Sequence, residues 1–276
     1  MNKFRGEQML FADANQWVLQ QTGIPIVAVL PWTAHQLSEE DNFFHRNQWQ
    51  PGTTNIALMV YPFASNLDEF DRLIYQAGVN LVPLRDAQDS SYYDAIILPG
   101  SKNVAASRMH LAQSGLDQAI IHAVKQGVRV TGICGGLQIL GEQTLDPLGG
   151  EGQGFEGLAL LPIITEYADA KVTTQRDVEW QEQHLACYEI HHAASPCVEA
   201  LKPFVEQVTG WQLGVVQGSY LHDLFINRSF RQHWLESLAW QGECEDWQQV
   251  IGRELDPLCE HLDLPLSQIS QHAGLS

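Results

Sequence analysis

The sequence predicts an α/β protein built on a mostly parallel sheet flanked by helices. From about residue 55 onward, short apolar runs alternate with segments of helical spacing. This is the pattern of strands joined by helices that cover the sheet. The 276-residue chain is also 45% hydrophobic, so it has enough apolar side chains for a sheet that is buried on both faces.

The predicted elements follow one another in a regular order. Apolar runs ending near Gly, Pro or a helix predict four strands; these are "IALMVYP", "VNLVPL", "YYDAIILPG" and "VRVTGIC". Helical spacing predicts helices in "NLDEFDRLIYQAG", "SGLDQAIIHAVKQG", "LQILGEQ" and "FRQHWLESLAW". After residue 150 only the strand-like pieces "LALLPIIT" and "LGVVQGSYLH" are visible. Before the first of these elements, the strand-like "IPIVAVLPW" precedes a linker, "NQWQPGTT".

Charge and cysteine content exclude several classes of protein. The formal net charge of −18 opposes binding to nucleic acid or to an anionic membrane surface, since both need clustered Lys and Arg. Five cysteines without a CxxC pair argue against a disulfide framework and against a metal site. No targeting signal or membrane-length apolar run is visible. We therefore expect a cytoplasmic protein.

A cysteine flanked by glycines follows the fourth predicted strand. The stretch "TGICGGLQILGE" reads as strand, Gly-x-Cys-x-Gly and helix, which is the cysteine form of a nucleophile elbow. Such a turn lifts the thiol of Cys134 to the carboxyl edge of the sheet, and the following helix N-terminus favours its thiolate form. The N–H of Gly135 then faces a developing oxyanion. The alternative is a buried structural cysteine beside a Gly-rich turn.

A thiol nucleophile needs a group that accepts and returns its proton. The chain has eleven histidines, so the presence of histidine alone identifies nothing. His222, in "GSYLHDLF", follows an apolar strand, which returns its side chain to the carboxyl edge of the sheet. His191 and His192, in "YEIHH", have a similar setting. The residues alone leave the choice between His222 and the pair His191/His192 open.

Five motifs, taken in order, resemble the glutamine amidotransferase domain of the cobyric acid synthase family. They are "AIILPGSKN", "TGICGGLQILGE", "EGLALLPIIT", "YEIHH" and "GSYLHDLF". The resemblance implies a class I amidotransferase with a flavodoxin-like fold. The earlier "NKFRGEQMLF", "TGIPIVAVLPW" and "SEED" resemble the end of that family's ATP-dependent synthetase domain.

The resemblance implies a reaction and a role for each site residue. Cys134 would attack the carboxamide of glutamine, releasing ammonia and leaving a glutamyl thioester, and His222 would activate the thiol and assist hydrolysis. The backbone of Gly135, with the Gly100 turn, would form the oxyanion hole. Leu224 stands two residues after the histidine, where other class I amidotransferases have a glutamate. The group that orients His222 is therefore not identified.

The same resemblance implies the organisation of the chain. Residues 1–52 would be a remnant of the synthetase domain, a truncated piece of a P-loop-type α/β domain, plus a linker. Residues 53–240 would be the amidotransferase domain and 241–276 a C-terminal helical tail. The chain has no GxxxxGK[ST] run, so we expect no cofactor here and assign ATP and Mg²⁺ to the missing synthetase half. We accordingly expect either a fragment or a protein whose missing part is supplied separately.

The implied partners are glutamine and, through the synthetase domain, a corrinoid. Ammonia would pass to that domain for amidation of adenosylcobyrinic acid a,c-diamide on the route to cobalamin. One alternative is a stand-alone glutaminase subunit of a lipid II amidotransferase, which the synthetase-like leader disfavours. Another is a non-catalytic remnant, which the retained cysteine and histidine disfavour.

Two local features have open interpretations. Tyr188, Glu189 and His191 belong either to a loop near the active-site rim or to an alternating strand with two polar residues on its exposed face. The loop would hold glutamine or face the synthetase domain. The family usually has glycine where this chain has Cys187, Ala193 and Asp223. Loss of a glycine matters where the backbone needs a positive φ or a close approach.

Overall fold

The fold comes from a computed structural model. The structure describes residues 4–6, 12–30, 48–86, 92–147, 149, 154–197, 201–205, 210–256, 259 and 269. The chain divides into two compact units, residues 1–37 with 246–276 and residues 38–245. The predicted domain boundaries at residues 52 and 240 stay predictions. Across the described ranges, every helix is too short or too polar to cross a membrane.

The described part of the first unit contains two helical stretches and an irregular apolar run. Helix α1 spans Ala12–Thr22, and residues 247–256 are also helical. The predicted strand over residues 24–32 is wrong for its described part, because residues 24–30 form no strand. The backbone N–H of Phe4 donates to Leu30 O at 3.0 Å, but an apolar run without a continuous ladder is not a strand. The "SEED" stretch lies outside the described residues.

The second unit contains the remaining assigned elements. Its helices are α2 (Asp71–Ile74), α3 (Val104–Ser114), α4 (Leu116–Lys125), α5 (Gly135–Leu140) and α6 (Arg228–Glu236), with 3-10 turns at Leu67–Phe70 and Leu224–Ile226. Its strands are β1 (Thr54–Met59), β2 (Ala64–Ser65), β3 (Val79–Leu84), β4 (Ala95–Leu98), β5 (Gly100–Ser101), β6 (Arg129–Ile133), β7 (Gln143–Leu145), β8 (Phe155–Glu156), β9 (Ile164–Trp180), β10 (Gln183–Ala194), β11 (Lys202–Pro203), β12 (Gly210–Leu213), β13 (Val216–Ser219) and β14 (Leu221–His222).

Seven strands form the central sheet, in the order β11-β12-β13-β6-β4-β1-β3. The strands from β13 to β3 run parallel, and β12 and β11 extend one edge in antiparallel fashion. All four residues of β4 are buried, as expected for a strand in a sheet covered on both faces. The predicted mostly parallel α/β sheet is confirmed.

A second sheet, β14-β10-β9-β7-β8, meets the central sheet at the carboxyl end of β13. Strands β9 and β10 form a long antiparallel hairpin in which Trp180 lies opposite Gln183. Strand β14 pairs with β10, so that His222 lies opposite Tyr188. Because only one residue separates β13 from β14, this pairing carries His222 from the central sheet to the second sheet.

Most of the element predictions are confirmed, and the exceptions have physical reasons. The four predicted strands correspond to β1, β3, β4 and β6, and three of the predicted helices to α4, α5 and α6. The predicted helix over residues 66–78 is wrong in length, because Asn66 takes a left-handed conformation and only a 3-10 turn and one α-turn follow. The stretch "LALLPIIT" is mostly irregular, since β9 begins only at Ile164.

Candidate active site

Cys134 lies at a strained turn at the carboxyl end of β6. Its φ of 51° and ψ of −107° are rarely adopted by residues other than glycine, and such strain clusters at functional sites. The backbone N–H of Cys134 donates to Ser219 O on the neighbouring strand β13 at 2.8 Å. The side chain is largely buried, with its thiol 3.5 Å from Ile190 O. The turn has the geometry that the sequence predicted for an elbow.

The glycines around Cys134 provide space, and the positive φ belongs to the cysteine itself. A Cβ on Gly136 would lie 2.0 Å from Leu98 O, and one on Gly132 would lie 2.6 Å from Leu140 Cδ1. A Cβ on Gly135 would lie 2.9 Å from the backbone nitrogen of Ser101. Helix α5 therefore packs directly onto the backbone of β4 and β5, which only glycine allows.

His222 lies at the same edge of the sheet as Cys134. Strands β13 and β6 are parallel neighbours, and Ser219 at the end of β13 lies opposite Ile133 at the end of β6. Cys134 is the residue after Ile133, and His222 is three residues after Ser219. His222 is only 1% exposed. Its Nδ1 lies 3.0 Å from Oε1 of Glu69, and its Nε2 makes no conventional hydrogen bond within the described ranges.

The electrostatics of His222 couple it to Cys134. Burial lowers the pKa of His222, but its interactions with the Cys134 thiol and the Glu69 carboxylate outweigh burial and raise that pKa to about 10. Since Nδ1 is engaged by Glu69, Nε2 is the nitrogen available to the thiol. The structure thus brings Cys134 and His222 together, which the sequence alone left open.

Glu69 is the site residue that sequence reasoning missed. It is 1% exposed, and its second oxygen, Oε2, accepts the backbone N–H of Asp223 at 3.0 Å. Burial raises the pKa of Glu69, while its hydrogen bonds with His222 and Asp223 oppose that rise. Helical spacing predicted that Glu69 lies in a helix over residues 66–78. The available signal was its position after β1 at the carboxyl edge of the sheet, where α/β site residues gather.

The "YEIH" stretch is part of strand β10, and its polar residues are not on an exposed face. The ring of Tyr188 stacks on His222 with centroids 4.9 Å apart. Glu189 is 4% exposed and lies 2.7 Å from Arg176. The interpretation of an exposed polar face is therefore wrong, because His222 covers Tyr188 and Arg176 covers Glu189. The role in substrate binding stays a prediction.

His191 makes other contacts than His222 does. Its ring stacks on Tyr220 with centroids 3.9 Å apart, and its Nδ1 lies 2.7 Å from Ala193 O. The pKa of Glu189 is lowered, first by its hydrogen bond with His191 and also by Arg176. These contacts pack His191 against Tyr220, and His222 is the histidine whose pKa responds to Cys134. No group of three or more His, Cys, Asp or Glu among the described residues is placed to hold a metal ion.

Gly100, the other predicted oxyanion-hole residue, lies against the imidazole. It pairs with Ser65 in the two-stranded sheet of β2 and β5. A Cβ on Gly100 would lie 3.3 Å from Cε1 of His222 and 3.2 Å from Ser65 Oγ. The absence of a side chain at position 100 therefore lets the chain pass beside the His222 ring.

Among the three residues that stand where the family usually has glycine, only Asp223 has a left-handed backbone conformation. Its φ is 66°, whereas Cys187 and Ala193 are absent from the positive-φ residues of the described chain. The backbone N–H of Asp223 also donates a hydrogen bond to Glu69. The usual glycine at this position therefore matches a conformation that this chain forces on an aspartate, which tolerates it better than most residues.

Asp223→Gly is expected to raise the free energy of unfolding by about 0.5–1 kcal/mol, because glycine removes the left-handed strain and keeps the backbone bond. Urea denaturation of both proteins measures this. Ala193→Gly is the matched control, and it should lower the free energy of unfolding by about the same amount, since a glycine in a strand loses more backbone entropy on folding. Destabilisation by both substitutions would contradict the strain argument.

The sheet and the cysteine elbow place the chain among the α/β glutamine amidotransferases. A solved structure described as "Crystal structure of glutamine amidotransferase" shares this fold, with a TM-score of 0.51 over 67% of this chain and 98% of that chain at 16% identity. The chain belongs to the family of CobB/CobQ-like glutamine amidotransferase domains, whose family model matches residues 55–230.

The chain is also similar to cobyric acid synthases over most of its length. A cobyric acid synthase of Roseiflexus castenholzii is 35% identical over 99% of this chain and 57% of that protein. A cobyric acid synthase of an Acidovorax species is 41% identical over 82% of this chain and 50% of that protein. The chain thus spans about half the length of the curated relatives it matches.

Proposed function

We propose that the chain is the glutamine-hydrolysing part of a cobyric acid synthase, with Cys134 as nucleophile and His222 as proton shuttle. The observation that carries this proposal is the strained Cys134 at one strand end with His222 at the end of the neighbouring strand. Membership of the amidotransferase family and the description of the relatives support glutamine as the substrate.

The chemistry proceeds through a thioester. The thiol proton moves to Nε2 of His222, which the raised pKa of His222 favours, and Sγ attacks the carboxamide carbon of glutamine. His222 returns the proton to the amide nitrogen as the C–N bond breaks, so ammonia leaves and a glutamyl thioester remains on Cys134. Water then gives a proton to His222 and attacks the thioester carbon. The C–S bond breaks, glutamate leaves and the thiol takes back its proton.

We assign the oxyanion to backbone donors around the elbow. The N–H of Gly135 lies in the first turn of α5, where backbone N–H groups have no acceptor within the helix. The backbone nitrogen of Ser101, the residue after Gly100, lies 2.9 Å from where a Cβ of Gly135 would sit. Two such donors stabilise the negative charge that develops in the transition state.

The wall formed by β10 is the proposed site for the amino-acid part of glutamine. Ile190 O lies 3.5 Å from the thiol, so the neighbouring side chains are within reach of a substrate held there. Glu189, whose pKa is lowered, would receive the α-amino group, since a buried carboxylate is a strong acceptor for a cation. His191 supports Glu189 from its own face of the strand.

The ammonia would be consumed by an ATP-dependent synthetase domain. In that domain ATP, with Mg²⁺, would activate carboxylates of adenosylcobyrinic acid a,c-diamide for amidation. The description of the relatives supports a corrinoid substrate over lipid II. The chain described here would contribute the ammonia.

Covalent trapping tests the proposed nucleophile. A glutamine-like diazo ketone should add once to the wild-type protein, and peptide mapping should locate the adduct on Cys134. Cys134→Ala should remain unlabelled, and His222→Asn should be labelled at least about tenfold more slowly because the thiol has lost its proton acceptor. An unlabelled wild type, or an adduct on one of the other four cysteines, would overturn the proposal.

A further inference from the structure

The imidazole of His222 is held at its edge by a carboxylate from a distant part of the chain. Glu69 is 153 residues before His222, and its Oε1 lies 3.0 Å from Nδ1. Both side chains are 2% exposed, so water does not compete for this bond. The other oxygen of Glu69 accepts the N–H of Asp223 at 3.0 Å, which fixes the carboxylate against the residue that follows the histidine.

The same imidazole is held at its face by an aromatic ring. Tyr188 lies nearly parallel to His222, with an interplanar angle of 15°. The hydroxyl of Tyr188 accepts a hydrogen bond from the Asn66 side chain at 2.5 Å. The backbone of Gly100 passes so close to the ring that a Cβ at this position would lie 3.3 Å from Cε1. The ring is therefore confined at an edge, at a face and at its Cε1 atom.

One short segment supplies both of these constraints. Asn66 anchors Tyr188, and Glu69 bonds His222 directly. Asn66 starts the segment in a left-handed conformation, with φ of 58°, which turns the chain so that Glu69 is directed into the protein. We propose that the segment Asn66–Phe70 is the positioning element for His222, acting through Glu69 on its tautomer and through Tyr188 on its orientation.

The chemical consequence is a defined proton pattern on the imidazole. A carboxylate only accepts hydrogen bonds, so Nδ1 carries a proton and Nε2 presents its lone pair to the thiol. The carboxylate also stabilises the imidazolium that forms when the thiol is deprotonated. This role rests on the proposed function, in which Leu224 cannot supply the acid. Glu69 and Tyr188 are positioning residues, since both act through His222.

Glu69→Gln tests the edge constraint. It should lower kcat for glutamine hydrolysis by at least about 100-fold with KM changed by less than about threefold, because a wrong tautomer removes the base and leaves substrate binding intact. Alkylation of Cys134 as a function of pH should also show the His222 ionisation displaced to lower pH. Glu166→Gln is the matched control: it removes the same charge from an exposed glutamate of β9 and should retain kcat within about twofold.

If Glu69→Gln does not fold, a spectroscopic measurement on the wild-type protein still tests the proposal. In the ¹⁵N-labelled wild-type protein, the Nδ1–H of His222 should give an exchange-protected resonance, assigned by its loss in His222→Asn. Protonation of wild-type His222 on Nε2 alone, or a folded Glu69→Gln with wild-type kcat, would overturn the proposal. If the wild type neither hydrolyses glutamine nor reacts with the diazo ketone, the proposed function fails while this resonance still tests the positioning.

A pair of substitutions at Tyr188 tests the face constraint. Tyr188→Phe keeps the ring over His222 but removes its hydrogen bond with Asn66, so it should lower kcat by about threefold. Tyr188→Leu removes the stack and should lower kcat by at least about tenfold with an unchanged KM. A rise in KM with an unchanged kcat in Tyr188→Leu would assign Tyr188 to substrate binding and overturn this part of the proposal.

Discussion

Cys134→Ala is expected to lower kcat for glutamine hydrolysis by at least about 10⁴-fold, because no other group takes over the role of a covalent nucleophile. The thioester route needs a sulfur on the strained turn beside His222, and alanine leaves only a methyl group there. Ammonia release under saturating glutamine measures the effect. The fold should persist, as judged by circular dichroism, since the substitution removes a single small atom.

Cys197→Ala is the matched control for this substitution. The thiol of Cys197 also lies 3.5 Å from a backbone carbonyl, that of Pro162, but Cys197 is not at an elbow. Its replacement should leave ammonia release within about twofold of wild type. Equal, nonzero release of ammonia by wild type and Cys134→Ala would remove Cys134 from the mechanism.

Gly136→Ala is expected to lower the free energy of unfolding by at least about 3 kcal/mol. A Cβ at this position would lie 2.0 Å from Leu98 O, well inside van der Waals contact, and the neighbouring atoms are backbone that cannot rotate away. Helix α5 would have to move off β4, and Cys134 would move with it. Urea denaturation followed by circular dichroism gives the change in stability.

The control for Gly136→Ala is Gly252→Ala. Gly252 also lies in a helix, and a Cβ there would meet nothing within 4 Å. Alanine is the better helix former, so this substitution should raise stability by up to about 1 kcal/mol. A Gly136→Ala protein as stable as the wild type would show that α5 does not pack on β4 as described.

Local features of the site were predictable from the sequence, and features made by distant parts of the chain were not. The elbow at Cys134 is encoded within a few residues by an apolar strand, spaced glycines and a helix, so the pattern alone identifies it. His222 was one of two candidates, because its approach to Cys134 depends on β13 pairing with β6. No local pattern reveals that pairing.

Sequence-based prediction missed Glu69 and the β9–β10 hairpin for two different reasons. Glu69 lies in a segment with helical spacing, and tertiary contacts with His222 and Asp223 override that local preference. Of the two hairpin strands, β9 is largely exposed and carries polar side chains along most of its length. Backbone pairing holds them together, so hydrophobic periodicity has little to detect.

The side chains of the candidate site come from three segments of the chain that meet only in the native protein. Glu69, Cys134 and His222 are separated by 65 and 88 residues, and the alignment of β6 with β13 closes the larger gap. A molecule that has lost this alignment retains a thiol without an adjacent imidazole. Turnover of glutamine should therefore report the native fraction of a partly denatured sample, and its decline with urea should coincide with the loss of ellipticity.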